Sequence, residues 1–521
     1  MRRIQVETSP DTKVCPRPTG ASLREKLKNF RKRGMQMTTL SSVVGAPLTK
    51  VWSWESIDWK TAWIHVRKLQ MRIAKAVRSG RYGKAKALQW ILTHSFYAKL
   101  IAVKRVTQNK GKITPGIDRI LWKTANQKMQ AAKSLKRRGY KALPLRRVYI
   151  PKKNGKSRPL GIPAMIDRAQ QALHLLALEP IAEIQADKNS YGFRPKRSCH
   201  DAIEQCFIAL ARKYSSKWIL EGDIKSCFDQ ISHTWLENNI TMDKRILRQW
   251  LKAGYIEEGF LYPTERGTPQ GGLASPVLCN MALDGLEKAI KSITKPGDKI
   301  NYVRYADDWI CTAENREILE SKVLPTVVEF LKERGLELSQ EKTRITHINE
   351  GFDFLGFSIR KYKEKLLIKP SKKSVKSFLK RTREIIHTRR AAKQSEMIKT
   401  LNPKIQGWTN YYRHSVAKRI FSQVDTCIFK SLWRWAKRRH PNKSITWIKR
   451  KYFPRVGLKS WCFCTKGKGA EEPNIFLKSA AKTRIVRHVK IKAEATPYDS
   501  AFKDYFARRS IKLKKHEIQP G

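Results

Sequence analysis

Between Trp52 and Val106 apolar side chains recur at helical spacing, as in Trp59, Trp63, Val66, Leu69 and Ile73, with lysine and arginine on the opposite face. That period predicts two or three amphipathic basic helices, able to lie along a nucleic-acid backbone or to pack on the next part of the chain. From Arg146 to Pro163 the pattern changes to a hairpin with Asn154-Gly155 at its tip, a dipeptide suited to tight turns between strands. Arg168 to Glu183, rich in Ala and Leu, predicts a helix, and Tyr191-Gly192-Phe193-Arg194-Pro195 a loop before another helix from about Ser198. An apolar strand, Trp218-Ile219-Leu220, runs out into Glu221-Gly222-Asp223, and helices follow to about Gly254. Gly267-Thr268-Pro269-Gln270-Gly271-Gly272 is a glycine-rich loop, and Ala274-Ser275-Pro276-Val277-Leu278 opens a helix after it. Tyr302-Val303 and Trp309-Ile310-Cys311 read as two short strands. Leu336 to Thr343 and Phe352 to Phe357 read as strand and turn elements that could complete a sheet. From about Ser371 to Tyr452 the period is helical and very basic, and residues 453–521 hold few long apolar runs, as in a small binding module or a tail.

The chemistry concentrates where the two short strands meet. Tyr305-Ala306-Asp307-Asp308 puts adjacent carboxylates at the turn, and acids that close repel unless a divalent cation sits between them and a third acid. Asp223, 84 residues before Asp307, ends an apolar strand and supplies that third acid. Together the three would cage a pair of Mg²⁺ ions, one lowering the pKa of an attacking hydroxyl, the other holding a triphosphate and its leaving oxygen. That is the chemistry of a nucleotide polymerase. Lys152 and Arg158 flank the hairpin tip and could meet a triphosphate from one side, Arg as a bidentate clamp and Lys as a point charge. A solvated basic turn is the alternative. In the glycine-rich loop, Gln270 offers both a donor and an acceptor.

Composition sharpens the partner. Against 44 Asp and Glu stand 108 Lys and Arg, a formal charge of +64 that implies a polyanion, with nucleic acid the expectation and anionic membrane the competing reading. No apolar run approaches the roughly 18 to 20 residues of a spanning helix. Trp433, Arg434, Lys437, Arg438 and Arg439, interleaved on a helix, suit a groove for a nucleic-acid backbone with stacking. Nine scattered cysteines do not make a disulfide framework and point to a reducing compartment. Cys462 and Cys464 are the one close pair; without a second pair they read as two thiols near the surface rather than a zinc site. Residues 1–50 are basic and poor in acids, as in a disordered arm that touches RNA or, alternatively, an organelle transit peptide.

In this order the Lys152 and Arg158 hairpin, Asp223, the Gln270 loop, Tyr305-Ala306-Asp307-Asp308 and the Leu355-Gly356 turn resemble the reverse transcriptases encoded by group II introns. Leu401-Asn402-Pro403, Gly407-Trp408 and Tyr411-Tyr412 are similar to that family's thumb or maturase domain. The resemblance runs from about 55 to 490. It implies an α+β right-hand polymerase, fingers and palm with an antiparallel sheet, followed by an α-helical thumb. It implies that Asp223, Asp307 and Asp308 are catalytic, with Asp223 and Asp307 the ligands of both Mg²⁺ ions, and that Lys152 and Arg158 grip the triphosphate. It makes Gln270 a residue of the dNTP pocket, and Lys342 a basic residue that could protonate the pyrophosphate. Phe228 corresponds to an aromatic that crowds the sugar 2′ position and selects dNTPs. The implied partners are group II intron RNA, an RNA/DNA duplex, dNTPs and a DNA target, in a cytoplasmic bacterial ribonucleoprotein or an organelle.

The expected division is a basic arm at 1–50, a helical extension at 51–110, fingers and palm at 111–365, a helical thumb or maturase domain at 366–452, and a basic DNA-binding-like segment at 453–521. The chain stops at Gly521 without the two CxxC pairs and histidines of an HNH endonuclease, so no strand-cleaving activity of its own is expected. Against the polymerase reading stands a maturase whose polymerase half survives only as an RNA-binding scaffold. A scaffold alone has no reason to keep Asp223, Asp307, Asp308 and Phe228.

Overall fold

The computed structural model describes residues 53–151, 155, 157–458, 460–465 and 474–518; the expected arm at 1–50 and Lys152 lie outside them. Three helices open it, α1 (Trp59–Arg78), α2 (Tyr82–His94) and α3 (Phe96–Gln108). Asp58 caps α1, accepting from the amides of Lys60 at 2.9 Å and Thr61 at 3.1 Å. The face α1 buries runs through Ala62, Val66, Gln70 and Ile73. Trp63, expected on the apolar stripe, is 46% exposed, because one register step separates it from that face. After α4 (Ala125–Ser134), β1 (Leu145–Pro151) and β2 (Ser157–Ile162) form the basic hairpin. The described pairs run from Arg146 with Ile162 to Pro151 with Ser157, and Asn154 of the expected tip lies outside the described residues.

Helix α5 (Met165–Gln185) is buried on nearly every face and stands between two cores. Met165, Ala169, Ala172 and Leu176 pack with α1 to α4, while Leu175 and Leu178 pack with the palm. An all-round apolar helix is stable only in such a position. There follow α6 (Cys199–Leu210), β3 (Trp218–Gly222), α7 (Cys227–Gln230), α8 (His233–Asn239), α9 (Lys244–Leu251), β4 (Tyr255–Glu257), β5 (Phe260–Tyr262), α10 (Ser275–Leu283), α11 (Leu286–Ser292), β6 (Asn301–Tyr305), β7 (Asp308–Ala313), α12 (Leu324–Lys332) and β8 (Arg344–His347). The palm is the antiparallel sheet β6-β7-β3-β8. The fingers sheet is ordered β2-β1-β4-β5, antiparallel except where β1 runs parallel to β4.

Two sequence readings shift here. Leu336 to Thr343 makes one bridge, Leu338 with Ile224, and is otherwise a loop; the strand that completes the palm is β8. The alternation at Leu336 and Leu338 is real, but β3 has ended and the chain turns away at Ser226, in the left-handed region at φ 46°, which leaves the segment no ladder. Phe352 to Phe357 does not extend the palm: β9 (Phe352–Phe354), β10 (Phe357–Tyr362) and β11 (Lys365–Pro370) form a sheet of their own. That sheet packs on α13 (Lys372–Thr388), α14 (Gln394–Tyr412), α15 (Lys418–Arg439) and α16 (Ile445–Tyr452) in one continuous core. The two-stranded pair β12 (Cys464–Thr465) and β13 (Ile475–Phe476) and helix α17 (Lys503–Ile518) complete the described chain. Cys464, read as a surface thiol, is buried in β12.

Candidate active site

The palm register brings the three acids to one edge. Gly222 pairs with Trp309 across β3 and β7, so one step further Asp223 stands opposite Asp308. Asp307 sits in the two-residue turn between β6 and β7, beside Ala306, which holds a positive φ of 59°. Backbone strain of that kind persists where surrounding packing over-determines it. The packing is visible: a Cβ on Gly192 would lie 2.3 Å from the Ala306 nitrogen, so the Tyr191-Gly192 loop can press against the turn only as glycine. Gly222 plays the matching part beneath, since a Cβ there would meet the Trp309 ring at 2.1 Å.

An ion pair that the sequence did not disclose lies under this hairpin. Arg304 of β6 is fully buried; its guanidinium pairs with Asp284 and donates to Asn280 Oδ1 at 3.2 Å and to the Ala306 carbonyl at 3.4 Å. A fixed charge thus holds the turn from below. Phe193 was also missed. It is exposed at φ 56°, and its ring meets that of Phe228, on α7, edge to face with centroids 6.4 Å apart. The Tyr191-Gly192-Phe193 loop was legible as a loop, but not as a neighbour of the Phe228 pocket.

The electrostatics are those of crowded carboxylates. Burial, then the charge of Asp223, pushes the Asp307 pKa up, and the Arg158 guanidinium is near enough to oppose that shift. Burial, then Asp307 and Asp223, raises Asp308 to about 6, although the residue as a whole reaches the surface. Lys342 Nζ stands 2.7 Å from Asp223 Oδ2, and that hydrogen bond raises the lysine pKa. The Gln270 amide donates to Asp229 Oδ2 at 2.9 Å, and the Gln270 carbonyl accepts from the Gly161 amide at 2.7 Å, tying β2 of the fingers to α7 of the palm. The palm register, the Lys342–Asp223 pair and the influence of Arg158 on Asp307 thus join these acids to two cations, while Gln270 is tied to Asp229, the residue after Phe228.

Among the described residues no three His, Cys, Asp or Glu side chains already stand in the geometry of a closed metal cage. The donor set is nevertheless oxygen only, which suits Mg²⁺, a cation usually held by one or two carboxylates together with phosphate oxygens. Burial first, and then the neighbouring carboxylates, raise the pKa values of Asp307 and Asp308, and a cation would relieve the repulsion among them.

The basic helix α15 departs from its reading in part. Trp433 is half-buried in an aromatic cluster with Phe429, Phe453 and Trp461, its ring 5.5 Å from Phe453 and 5.4 Å from Trp461, so part of its surface is taken up by packing. Arg439 turns inward, donating to the carbonyls of Arg390 at 3.1 Å and Ala392 at 2.6 Å. Arg434 and Lys437 remain exposed, as does Arg438, and Arg434 and Arg438 line a cleft of about 550 Å³ with Arg383 and Arg390.

Three family profiles match consecutive parts of the chain. The N-terminal domain of reverse transcriptase matches residues 54–135, reverse transcriptase (RNA-dependent DNA polymerase) matches 150–359, and the group II intron maturase-specific domain matches 375–453. Protein YkfC of Escherichia coli (strain K12) is 35% identical over 304 residues, 49% of this chain and 79% of that protein. The group II intron-encoded protein LtrA of Lactococcus lactis subsp. cremoris is 31% identical over 332 residues, 50% of this chain and 54% of LtrA, so the match spans about half of that relative's length. A 91 kDa protein in the cob intron of Schizosaccharomyces pombe is 29% identical over 322 residues, 50% of this chain and 40% of that protein. The order of the three domains, together with the relative covered over most of its length, shows that the chain belongs to the group II intron-encoded reverse transcriptase and maturase family.

Proposed function

We propose that the chain is an RNA-directed DNA polymerase that binds a group II intron RNA, assists its splicing and copies it into DNA at a DNA target. The observation that carries the reading is the palm register that sets Asp223 opposite Asp308, with Asp307 in the adjoining turn. Asp223, Asp307 and Asp308 would hold two Mg²⁺ ions, which when bound activate the primer hydroxyl and neutralise the triphosphate. Arg158 reaches toward the acids from the fingers and orients an incoming dNTP by its phosphates. Phe228, braced by Phe193, fills the space beside the sugar and excludes a 2′-hydroxyl. Gln270, anchored to Asp229, fixes the loop that forms the far wall of the nucleotide pocket. Lys342 neutralises Asp223 and stands where a departing pyrophosphate would take a proton. The exposed cations of α13 and α15 supply contacts to RNA phosphates.

Primer extension on an RNA template with dNTPs and Mg²⁺ tests the reading, with the Asp307→Asn, Asp308→Asn double variant alongside. Synthesis by the parent chain only is the expected result, with RNA affinity within about threefold in both proteins, since the substitutions remove no cation that could contact RNA phosphates. No synthesis by either, with tight binding of intron RNA, would leave a splicing cofactor built on a polymerase scaffold.

A further inference from the structure

The N-terminal helices enclose a second cavity, of about 410 Å³, between α2, α3, the segment after α4 and α5. Its lining combines three features that the polymerase reading does not use. Trp90 and His94, one turn apart on α2, stack with centroids 4.1 Å apart at 26°, and Trp90 remains 60% exposed, offering a wide aromatic face at the mouth. Such a face is a platform for any nucleobase.

The floor is polar and incompletely paired. Gln170 of α5 is 1% exposed; its amide nitrogen donates to the Lys136 carbonyl at 2.8 Å, while its Oε1 is buried without a hydrogen-bond partner. A buried acceptor left open is costly and calls for an N–H donor. His174, one turn along α5, packs edge-on against Trp250 with centroids 5.7 Å apart and has no hydrogen bond among the described residues. Burial holds its pKa down at about 4, so near neutrality the ring presents one donor and one acceptor.

The rim is cationic. Lys99, Lys136 and Arg138 make no ion pair among the described residues, whereas Arg137 is taken up by Asp243, and no carboxylate lines the cavity. Burial and the facing Lys136 charge both lower the Lys99 pKa, a repulsion that a phosphate would relieve. An acidic peptide would satisfy the rim but leave the aromatic platform and the Gln170 carbonyl unused.

We propose that this cavity is a binding pocket for one unstacked RNA nucleotide whose base carries an exocyclic amino group, separate from the centre formed by Asp223, Asp307 and Asp308. The base stacks on Trp90, its phosphate meets Lys99, Lys136 and Arg138, and its amino group takes Gln170 Oε1, closed off in the empty cavity, once that side chain turns toward the base.

Photolabelling of the full chain with 8-azido-AMP, mapped by mass spectrometry, tests the pocket. Label is expected in peptides holding Trp90 to His94 or Leu135 to Arg138, displaced by AMP but not by the same concentration of ribose 5-phosphate. Trp90→Ala, at an exposed position, should weaken labelling at least about fivefold while primer extension on a saturating short template stays within about twofold. Gln170→Met should weaken competition by AMP more than by UMP, which has no amino group. Label confined to other peptides, equal displacement by ribose 5-phosphate, or an unchanged Trp90→Ala protein would each overturn the proposal. A short oligo(A) should compete at lower concentration than AMP; the reverse order would make the ligand a free nucleotide and overturn its assignment to RNA.

Discussion

Burial and the neighbouring charges of Asp307 and Asp223 raise the Asp308 pKa to about 6, from an ordinary value of 3.8. The folded chain therefore holds that proton more tightly than the unfolded chain does. Stability falls as pH rises from about 4 to about 6, and the repulsion is fully present above that window. Metal-free thermal melts should show the advantage of Asp308→Asn over the parent growing between about pH 4.5 and about pH 7; a constant difference would mean the carboxyl is not strained. Phe228 permits a second test: Phe228→Ala should raise the efficiency of ribonucleotide insertion by roughly ten- to a hundredfold, the scale of one steric contact in a pocket. An unchanged preference for dNTPs in competition assays would remove Phe228 from the gate. The acids were legible because charge stands out against apolar strands, whereas Phe228 was singled out only by the family resemblance. Arg304 was not. An arginine between Val303 and Tyr305 reads as a solvated strand residue, and nothing local announces its partner Asp284 on the far side of α11. The packing of Trp433 was not legible either, since helical spacing of Trp and Arg does not disclose contacts with Phe453 and Trp461.

The β6–β7 hairpin is the element on which the site depends, and its shape is imposed from outside. Ala306 holds a positive φ because the Tyr191-Gly192 loop lies along β6, with the Tyr191 amide donating to the Arg304 carbonyl at 2.9 Å and the Arg304 amide to the Asn189 carbonyl at 2.9 Å. Gly192→Ala would drive a methyl into the Ala306 backbone, which cannot retreat because Arg304 grips the same turn from below. Displacing the acids by even an ångström should lower kcat roughly a hundredfold, while the melting temperature changes little if the loop yields instead of the core. Primer extension at saturating template against a thermal melt separates the two effects. Short-range patterning located this hairpin well because both strands are apolar and the turn is two residues long. It did worse wherever a strand's partner is distant. β8 lies just past the alternating Leu336 to Leu338 stretch, and only the length of β3 decides which of the two gains a ladder. The fingers hairpin was legible in its strands, which pair from Arg146 with Ile162 to Pro151 with Ser157.

At the scale of the molecule, the C-terminal segment closes the chain on itself. Residues 485–518, read from sequence as a binding module or tail, dock on α1, α5 and α6: Arg78 meets Asp499 at 2.5 Å, the Tyr498 hydroxyl donates to Glu179 at 2.9 Å, and Lys490 Nζ reaches Gln205 at 2.5 Å. Basic residues that composition assigned to nucleic acid are partly spent on this contact. Its centre is Asp201, fully buried on α6, which accepts from His488 Nε2 at 3.0 Å, Arg509 Nη2 at 2.8 Å and the Ile491 amide at 2.7 Å. Burial opposes its ionisation, but the bond from His488 and the charges of His488 and Arg509 hold the carboxyl down at about 2. Asp201→Ala would leave Arg509 buried without its counter-ion, a loss of about 3–5 kcal/mol for a broken buried pair. The segment can escape most of that cost by undocking, since Arg509 then returns to water. The expected outcome is therefore local: hydrogen exchange in 485–518 accelerates roughly a hundred- to a thousandfold, with much smaller change in the palm strands. Equal acceleration in β3, β6 and β7 would show that the docked segment is part of the palm's own folding unit.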